Sequence, residues 1–250
     1  MTGGAPLTAL IAAIERGLLV LDGWEQRSLR FAGWIEAVTP EDAAPAFGRI
    51  LSSAFHHRTP GGKVLAESAG LALLDGHWPE EHRVHTREAA AALELAVTSA
   101  FLLAPEIPDH DERAFEVPDY GGDRPLTLGE RRALASQPSR RIIARALLDP
   151  HPMVALRLLG NPQVVEADVL RIASRRPAPP SVLAELARHS RWRGRPRVAA
   201  ALAHNPWTPH AHAVSLLPGL PRALVRDVSE DGRVSADLGD AARILLENRP

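Results

Sequence analysis

Residues 195–209 have the sequence RPRVAAALAHNPWTP, a pattern that predicts the end of one helix and the start of the next. Asn205 tolerates the left-handed backbone conformation that ends helices, and Pro206 cannot continue the helix. Thr208 is a good N-cap, and Pro209 suits the first turn of the helix that follows. Short helices joined by such tight corners cannot bury their apolar faces alone, so we expect them to stack on their neighbours.

A second copy of this pattern begins 44 residues earlier. Residues 151–162 have the sequence HPMVALRLLGNP, and the alignment of 151–177 with 195–221 contains eight identities in 27 positions. The identical pairs are Pro152/Pro196, Val154/Val198, Ala155/Ala199, Leu158/Leu202, Asn161/Asn205, Pro162/Pro206, Ala167/Ala211 and Pro177/Pro221. The C-terminal half is therefore predicted to contain an internal repeat.

These two stretches resemble the leucine-rich-repeat-variant family, a HEAT-like bacterial solenoid unit. In that family a helix start of the form P-x-V-R is followed by N-P-x-T-P and a leucine-rich helix. A degenerate intermediate copy begins at Arg176, and the resemblance covers residues 138–217. It implies an α-solenoid. The founding member carries a cysteine-ligated iron–sulfur segment, which this cysteine-free chain cannot form.

The rest of the chain predicts an all-α protein with an N-terminal helical domain followed by a short HEAT-like α-solenoid. Helical patterns interrupted by prolines fill residues 1–104, including one long helix within 79–104. Residues 105–125 are rich in proline, glycine and acids and lack a helical period, which favours a linker. Helical patterns resume in 126–250, the predicted solenoid domain. Strand patterns are sparse.

Two helix starts are predicted from side-chain chemistry. Thr39 precedes Pro40 and two acidic residues, a typical N-cap followed by a first turn that suits the helix dipole. Thr127 and Glu130 have the spacing of a capping box.

Composition excludes several classes of site. The 250 residues include no cysteine, which rules out disulfides, cysteine nucleophiles and thiolate metal sites. The apolar run near the N-terminus is interrupted by Glu15 and Arg16, unlike a signal peptide, and the longest apolar stretch, 89–104, contains Glu94 and is too short to cross a bilayer. We therefore expect a cytoplasmic protein without a membrane association.

The formal charge of −1 conceals a strong polarity. Residues 1–125 contain 19 acidic and 10 basic residues, whereas residues 126–250 contain 11 acidic and 19 basic residues. The most basic stretch is 188–197, RHSRWRGRPR, in which one tryptophan lies among arginines. Such a loop is typical of an anion-binding surface, with Trp192 available to stack on a base or a sugar.

The predicted partner-facing residues are the arginines of 171–197 together with two tryptophans. They are Arg171, Arg175, Arg176, Arg188, Arg191, Trp192, Arg193, Arg195, Arg197 and Trp207. An acidic protein surface is the favoured partner, and nucleic acid is the alternative. Self-association also fits, since the acidic half of the chain could meet the basic half. A structural interpretation stays open as well, in which the arginines form ion pairs between repeats.

Motifs of catalysis are missing from the sequence. It contains no glycine-rich phosphate loop, no nucleophile elbow and no His-Glu-x-x-His. His77, His82 and His85 match no zinc spacing, so neither a metal nor another cofactor is expected. The prediction is a non-catalytic interaction or adaptor module. The alternatives are a nucleic-acid-binding HEAT-like solenoid and a structural component of a larger assembly.

Overall fold

The structure, a computed structural model, describes residues 7–103, 115–121 and 123–249. These residues form sixteen α-helices and one 3-10 helix and include no β-strand, which confirms the predicted all-α class. The helices are α1 (Leu7–Leu19), α2 (Trp24–Glu36), α3 (Pro40–His57), α4 (Pro60–Leu74), α5 (Glu80–Ala92), α6 (Ala96–Phe101), α7 (Leu128–Ala135), α8 (Arg140–Ala146), α9 (Pro152–Leu159), α10 (Glu166–Ala173), α11 (Pro180–Arg188), α12 (Ser190–Arg193), α13 (Pro196–Ala203), α14 (His210–Leu216), α15 (Arg222–Glu230) and α16 (Ala236–Glu247), with the 3-10 helix at Leu217–Gly219. None of the described helices is both long and apolar enough to span a membrane.

Side-chain caps begin helices at both predicted starts. The Asp42 amide donates to Thr39 Oγ1 (3.3 Å) in the first turn of α3. At α7, the Glu130 amide donates to Thr127 Oγ1 (3.3 Å) and the Thr127 amide donates to the Glu130 carboxylate (2.8 Å), which completes the predicted capping box. These bonds satisfy amides that a helix N-terminus leaves without partners.

The segment 79–104, predicted to contain one long helix, contains two. Glu94 lies between α5 and α6 with a left-handed backbone (φ 54°), a conformation that no α-helix interior contains. The break turns α6 onto α3, where the Thr98 hydroxyl donates to the Ala44 carbonyl (2.7 Å).

The helices form two compact units, which divide the chain differently from the predicted domains. Unit 1 consists of the described residues of Met1–Pro105 and Val214–Pro250, and unit 2 of those of Glu106–Ala213. The predicted solenoid domain, 126–250, is therefore shared between the two units.

α3 is central to unit 1 and contacts α4, α5 and α6. Trp78 is fully buried after α4, and its ring lies edge-on to Phe47 of α3, with 5.2 Å between the ring centroids. Its Nε1 donates to His82 Nδ1 (2.9 Å), and Nε2 of the same imidazole donates to the Val38 carbonyl (3.0 Å). His82 is thereby a half-buried structural link between α5 and the residues that follow α2.

The C-terminal helices complete unit 1. α16 packs on α15, α3 and α6. His56 Nε2, near the end of α3, donates to the Leu245 carbonyl (3.1 Å) and the Asn248 carbonyl (2.9 Å). These contacts explain why the C-terminal segment groups with the N-terminal helices: its apolar faces are covered there.

Unit 2 contains two copies of a three-helix arrangement. In the first copy α7 packs on α8 and α9, and α8 packs on α9. In the second copy α10 packs on α11 and α13, and α11 packs on α13. α11 also packs on α9, which joins the copies. The one-turn helix α12 has no counterpart in the first copy, where the described chain runs directly from α8 to α9.

Asn161 and Asn205 show the equivalence of the copies most directly. Both are buried, and each side-chain amide donates to two backbone carbonyls at the end of the first helix of its own copy. The acceptors are Ala135 and Gln137 for Asn161 and Ala173 and Arg175 for Asn205.

The spacing between the copies is not constant. Ala173 follows Ala135 by 38 residues, whereas Asn205 follows Asn161 by 44. The second copy is longer because it includes α12. The 44-residue repeat in the sequence therefore describes the third helix of each copy and the corner that follows it. Stacking of these copies as a solenoid stays a prediction.

The predicted linker, 105–125, lies partly outside the described residues. Its described part belongs to unit 2, where Tyr120 is buried and its hydroxyl donates to Asp149 Oδ2 (2.8 Å). The segment around Tyr120 is thus packed on the helices of this unit.

Candidate binding surface

The basic stretch 188–197 connects α11 to α13 within the second copy, and its central tryptophan is buried. Trp192 is 1% exposed, and its Nε1 donates to the Leu159 carbonyl at the end of α9 (2.9 Å). The predicted role of Trp192 as an exposed stacking platform is corrected by this position. Its apolar ring fills space between helices, and the one polar group on the ring is already hydrogen-bonded.

Two arginines of this stretch are also drawn into the fold. Arg193 is 4% exposed, so it is not available to a partner as predicted. Arg191 lies over the Trp192 ring at 4.3 Å and donates to two carbonyls of the corner after α9, those of Asn161 (3.2 Å) and Val164 (3.1 Å). Arg191 therefore links α12 to the first copy.

The remaining arginines of this stretch face acids. Arg195 Nη1 lies 3.2 Å from Glu166 Oε2, and Arg197 Nη1 lies 4.0 Å from the other oxygen of that carboxylate. Arg188 pairs with Glu185 on the same helix. The side chain of Arg197 is nevertheless 78% exposed, so most of its surface stays accessible.

Three other predicted residues lie near the ends of helices. Arg175 donates to the Leu148 carbonyl (3.0 Å) and Arg176 to the His204 carbonyl (2.6 Å). Trp207 is half-buried, with its ring edge-on to Phe115 at 6.0 Å. These side chains hold corners of unit 2 together.

Of the ten predicted partner-facing residues, Arg171 and Arg197 fit the prediction best. Both are exposed, and Arg171 has no hydrogen-bond or ion-pair partner among the described residues. The structure therefore supports the structural interpretation of the arginines for most of the set, and an accessible cationic role for the rest.

The acids between residues 128 and 213 are all engaged in ion pairs. This stretch contains 14 arginines and five acids, a net charge of +9. The pairs are Glu130–Arg124, Asp149–Arg131, Glu166–Arg195, Asp168–Arg140 and Glu185–Arg188. The positive charge of the other arginines is therefore not neutralised within this stretch.

Two of these ion pairs hold their carboxylates in the charged form. The hydrogen bond from Arg140 keeps the pKa of Asp168 below its usual value. Arg124 and the capping bonds from Thr127 lower the pKa of Glu130 to about 2. Neither acid can serve as a proton donor near neutral pH.

A surface groove lies between α7 and α9 in the first copy. Its volume is about 420 Å³, and it is lined by Arg132, Ser136, Met153, Leu156, Arg157, Gly160, Asn161 and Pro162. Met153 is 44% exposed and Leu156 is 48% exposed. Arg157 Nε donates to Ser136 Oγ across the groove (2.6 Å). The groove thus combines exposed apolar side chains with two arginines.

The sequence prediction missed this groove, although a signal for it was present. Val154 and Leu158 follow the buried face of α9, and helical geometry places Met153 and Leu156 outside that face. Large apolar residues at positions assigned to solvent indicate a contact surface. The sequence analysis instead placed the binding surface at 171–197, because 188–197 is rich in arginine.

A second cavity, of about 500 Å³, lies beside Tyr120 and Arg131. Asp149 accepts hydrogen bonds from both, with Arg131 Nη1 at 2.7 and 2.6 Å from its two oxygens. Burial, followed by the hydrogen bond to Asp149, raises the pKa of the Tyr120 hydroxyl well above its usual value. These groups anchor the segment to α7, and the Tyr120 hydroxyl stays protonated near neutral pH.

The histidines do not assemble a metal site in the described part of the chain. No group of three or more His, Asp or Glu side chains there is arranged to hold an ion. His82 is occupied by Trp78 and Val38, and His77 Nδ1 is hydrogen-bonded to the Ser28 hydroxyl (2.9 Å).

Comparisons with protein-family models, with curated proteins and with solved structures found no match for this chain. The resemblance to the leucine-rich-repeat-variant family thus stays a prediction from the motif residues. The candidate surface is defined by the chain's own geometry: two helical copies, a connector of arginines around a buried tryptophan, and exposed arginines beside an apolar groove.

Proposed function

We propose that the protein is a non-catalytic interaction module whose unit 2 binds an acidic surface of another protein. The observation that carries this proposal is the charge balance between residues 128 and 213. All five acids of this stretch are in ion pairs, and a net charge of +9 is left, whereas 106–127, the rest of the sequence of unit 2, contains seven acids and two arginines. Such a surface attracts anionic partners and orients them before contact.

The proposed contact residues are exposed arginines that form no ion pair within 4 Å among the described residues, although the charge of Arg171 also acts on Asp168. Arg132 lies on α7, Arg157 on α9 and Arg171 on α10. Arg157 uses its Nε on Ser136, which leaves its terminal nitrogens to donate to a carboxylate. This set replaces most of the 171–197 arginines as the site to test.

Nucleic acid is the second candidate, because the same charge attracts phosphates. The burial of Trp192 argues against it, since the predicted stacking platform is inside the fold. The exposed Met153 and Leu156 argue for a protein partner, because apolar side chains beside arginines match the composition of protein interfaces.

Affinity capture of partners from native extract, with and without nuclease, tests this proposal. The bait is the parent chain or the variant Arg132→Glu/Arg157→Glu/Arg171→Glu. The matched control, Arg16→Glu/Arg226→Glu/Arg249→Glu, has the same net charge and changes exposed arginines of unit 1.

We expect a captured protein that resists nuclease, is lost with the unit 2 variant and is retained with the control. Capture that disappears after nuclease treatment would assign the surface to nucleic acid. Equal capture by both variants would contradict the proposed site.

A further inference from the structure

The groove between α7 and α9 differs from the equivalent region of the second copy, although the buried positions agree. Val154 and Leu158 are repeated as Val198 and Leu202, and all four are buried. Four of the residues that line the groove are replaced, as Met153/Arg197, Leu156/Ala200, Arg157/Ala201 and Gly160/His204, whereas Asn161 and Pro162 are repeated as Asn205 and Pro206. The packing of the copies therefore does not require these four residues.

Gly160 keeps one end of this groove open without being needed by the backbone. Its torsion angles (φ −79°, ψ −10°) are ordinary helical values, which any residue adopts. A Cβ placed there would meet only helix carbonyls, at 3.7 and 3.8 Å, which is ordinary contact. His204 occupies the equivalent position with nearly the same angles (φ −80°, ψ −4°). A side chain at 160 would thus fit the fold while occupying the groove.

Both charged side chains that line the groove are arginines. Arg157 is held in place by its Nε bond to Ser136, so its guanidinium is oriented before a ligand arrives. Arg132 lies on the same groove and is exposed. None of the eight lining residues, all within the described chain, is acidic. The charge of the groove therefore matches carboxylates.

We infer that this groove binds a short acidic segment of a partner protein that contains one large apolar side chain. The carboxylates would pair with Arg132 and Arg157, and the apolar side chain would cover Met153 and Leu156. This inference rests on the proposed function and specifies its partner. The flexible side chain of Met153 can adjust to apolar side chains of different shapes.

A peptide fits the groove better than nucleic acid does. Its eight lining residues include no aromatic side chain on which a base could stack. Its apolar part is aliphatic, and a phosphate backbone has no apolar group to cover it. A volume of about 420 Å³ suits one or two side chains.

Fluorescence anisotropy with labelled peptides on the full chain tests the inference. The probe is the acetylated, amidated pentapeptide Glu-Glu-Leu-Glu-Glu. One control, Glu-Glu-Gly-Glu-Glu, lacks the apolar side chain, and a second, Gln-Gln-Leu-Gln-Gln, lacks the charge. We expect each control to bind about tenfold more weakly than the probe.

Two substitutions at one position separate the groove from the rest of the surface. Gly160→His should weaken probe binding about tenfold by filling the groove. Gly160→Ala adds only the Cβ and should leave binding close to that of the parent chain. The thermal midpoint of both variants shows that the fold is intact.

Each outcome is decisive. Equal binding of the leucine and glycine peptides, or unchanged binding by Gly160→His, overturns the groove while leaving the arginine surface of the proposed function in place. Failure of every acidic peptide at low salt overturns both proposals. Stronger binding of a single-stranded oligonucleotide than of the probe would assign the site to nucleic acid.

Discussion

Asn161 and Asn205 show how single residues hold unit 2 together. Each lies at the corner where a third helix ends, and its amide reaches back to carbonyls that the first helix leaves without partners. The side-chain oxygens are used as well, because Asn161 Oδ1 accepts from the Gln163 amide (2.9 Å) and Asn205 Oδ1 from the Trp207 amide (3.0 Å). The repeated asparagine was predictable from the sequence. Its long-range acceptors were not, because they depend on which helices pack together.

Replacing Asn161 with alanine should destabilise the protein by about 1–3 kcal/mol, because buried carbonyls lose their donors. Urea denaturation measures the loss. The control is Asn248→Ala, an exposed asparagine whose amide also donates to a carbonyl, that of Ile244. Equal effects of the two substitutions would contradict the structural role of Asn161.

Trp192 shows where composition misleads. A tryptophan among arginines is typical of an anion-binding loop, yet the same residues serve here as a connector between copies. Arg191 and Arg195 lie at 4.3 and 5.6 Å from the Trp192 ring. Arg191 also donates to the Asn161 carbonyl of the first copy, and Arg195 donates to Glu166 of α10 in its own copy. Whether a basic loop faces solvent or a neighbouring helix is decided by tertiary packing, which no local pattern reports.

The burial of Trp192 predicts a stability effect. Trp192→Ala should cost about 3–5 kcal/mol, since it leaves a cavity and an unpaired carbonyl at Leu159. Trp207→Ala, at a half-buried position, should cost clearly less. Thermal or chemical denaturation compares the two. A Trp192→Ala protein as stable as the parent would show that the ring is not part of the core.

At the scale of elements, the sequence repeat predicted the equivalence of α9 and α13, the third helices of the two copies, but not that of the helices before them. α9 and α13 carry the identical buried residues, because their inner faces meet the same kind of neighbour. α12 lengthens the second copy before the aligned segment begins, and its four residues, Ser190–Arg193, are too few to show a helical period. The C-terminal helices were predicted to belong to the solenoid domain, 126–250, because helical patterns continue through that stretch. Only their contacts with α3 and α6 place them in unit 1.

The ion pair of Asp149 and Arg131 joins the segment around Tyr120 to α7. Both charged side chains are almost fully buried. Asp149→Ala should therefore destabilise the protein by about 3–5 kcal/mol, because it leaves the guanidinium of Arg131 without its counter-charge.

Asp240→Ala is the matched control for this pair. It breaks the exposed Asp240–Arg243 pair and should cost less than about 1 kcal/mol. Denaturant titration of both variants provides the comparison. Similar losses for the two would mean that Asp149 does not hold the segment in place.

His212, on α14, predicts a pH dependence of stability. Burial and the positive charges of Arg188 and Arg193 lower its pKa from 6.5 to about 4. Between these values the unfolded chain binds a proton that the folded protein does not. Stability should therefore fall as the pH drops from 6.5 towards 4.

His212→Gln removes this titration, so the variant should lose less stability than the parent over the same pH range. His85→Gln, at an exposed position, is the control. His189, whose pKa is lowered mainly by burial, adds a dependence of the same sign in all three proteins. Identical pH profiles of the parent and His212→Gln would contradict the prediction.

At the scale of the whole molecule, the sequence predicted how charge is divided between the two halves of the chain, but not which charges are paired in the fold. Counting shows an acidic half and a basic half. It does not show that the acids between 128 and 213 are all paired, or that an apolar groove lies beside Arg132 and Arg157. Ion pairs join residues as far apart in the sequence as Glu166 and Arg197, so the unpaired charge of a surface depends on the fold.

The most direct test of the account measures where the chain binds a polyanionic polypeptide. Fluorescence anisotropy with labelled polyglutamate compares the parent with Arg132→Glu/Arg157→Glu/Arg171→Glu and with Arg16→Glu/Arg226→Glu/Arg249→Glu. We predict binding by the parent that weakens with added salt, a loss of about tenfold or more in the first variant, and near-parent affinity in the second. Equal losses in both variants, or no binding by the parent at low salt, would contradict an acidic-partner surface on unit 2.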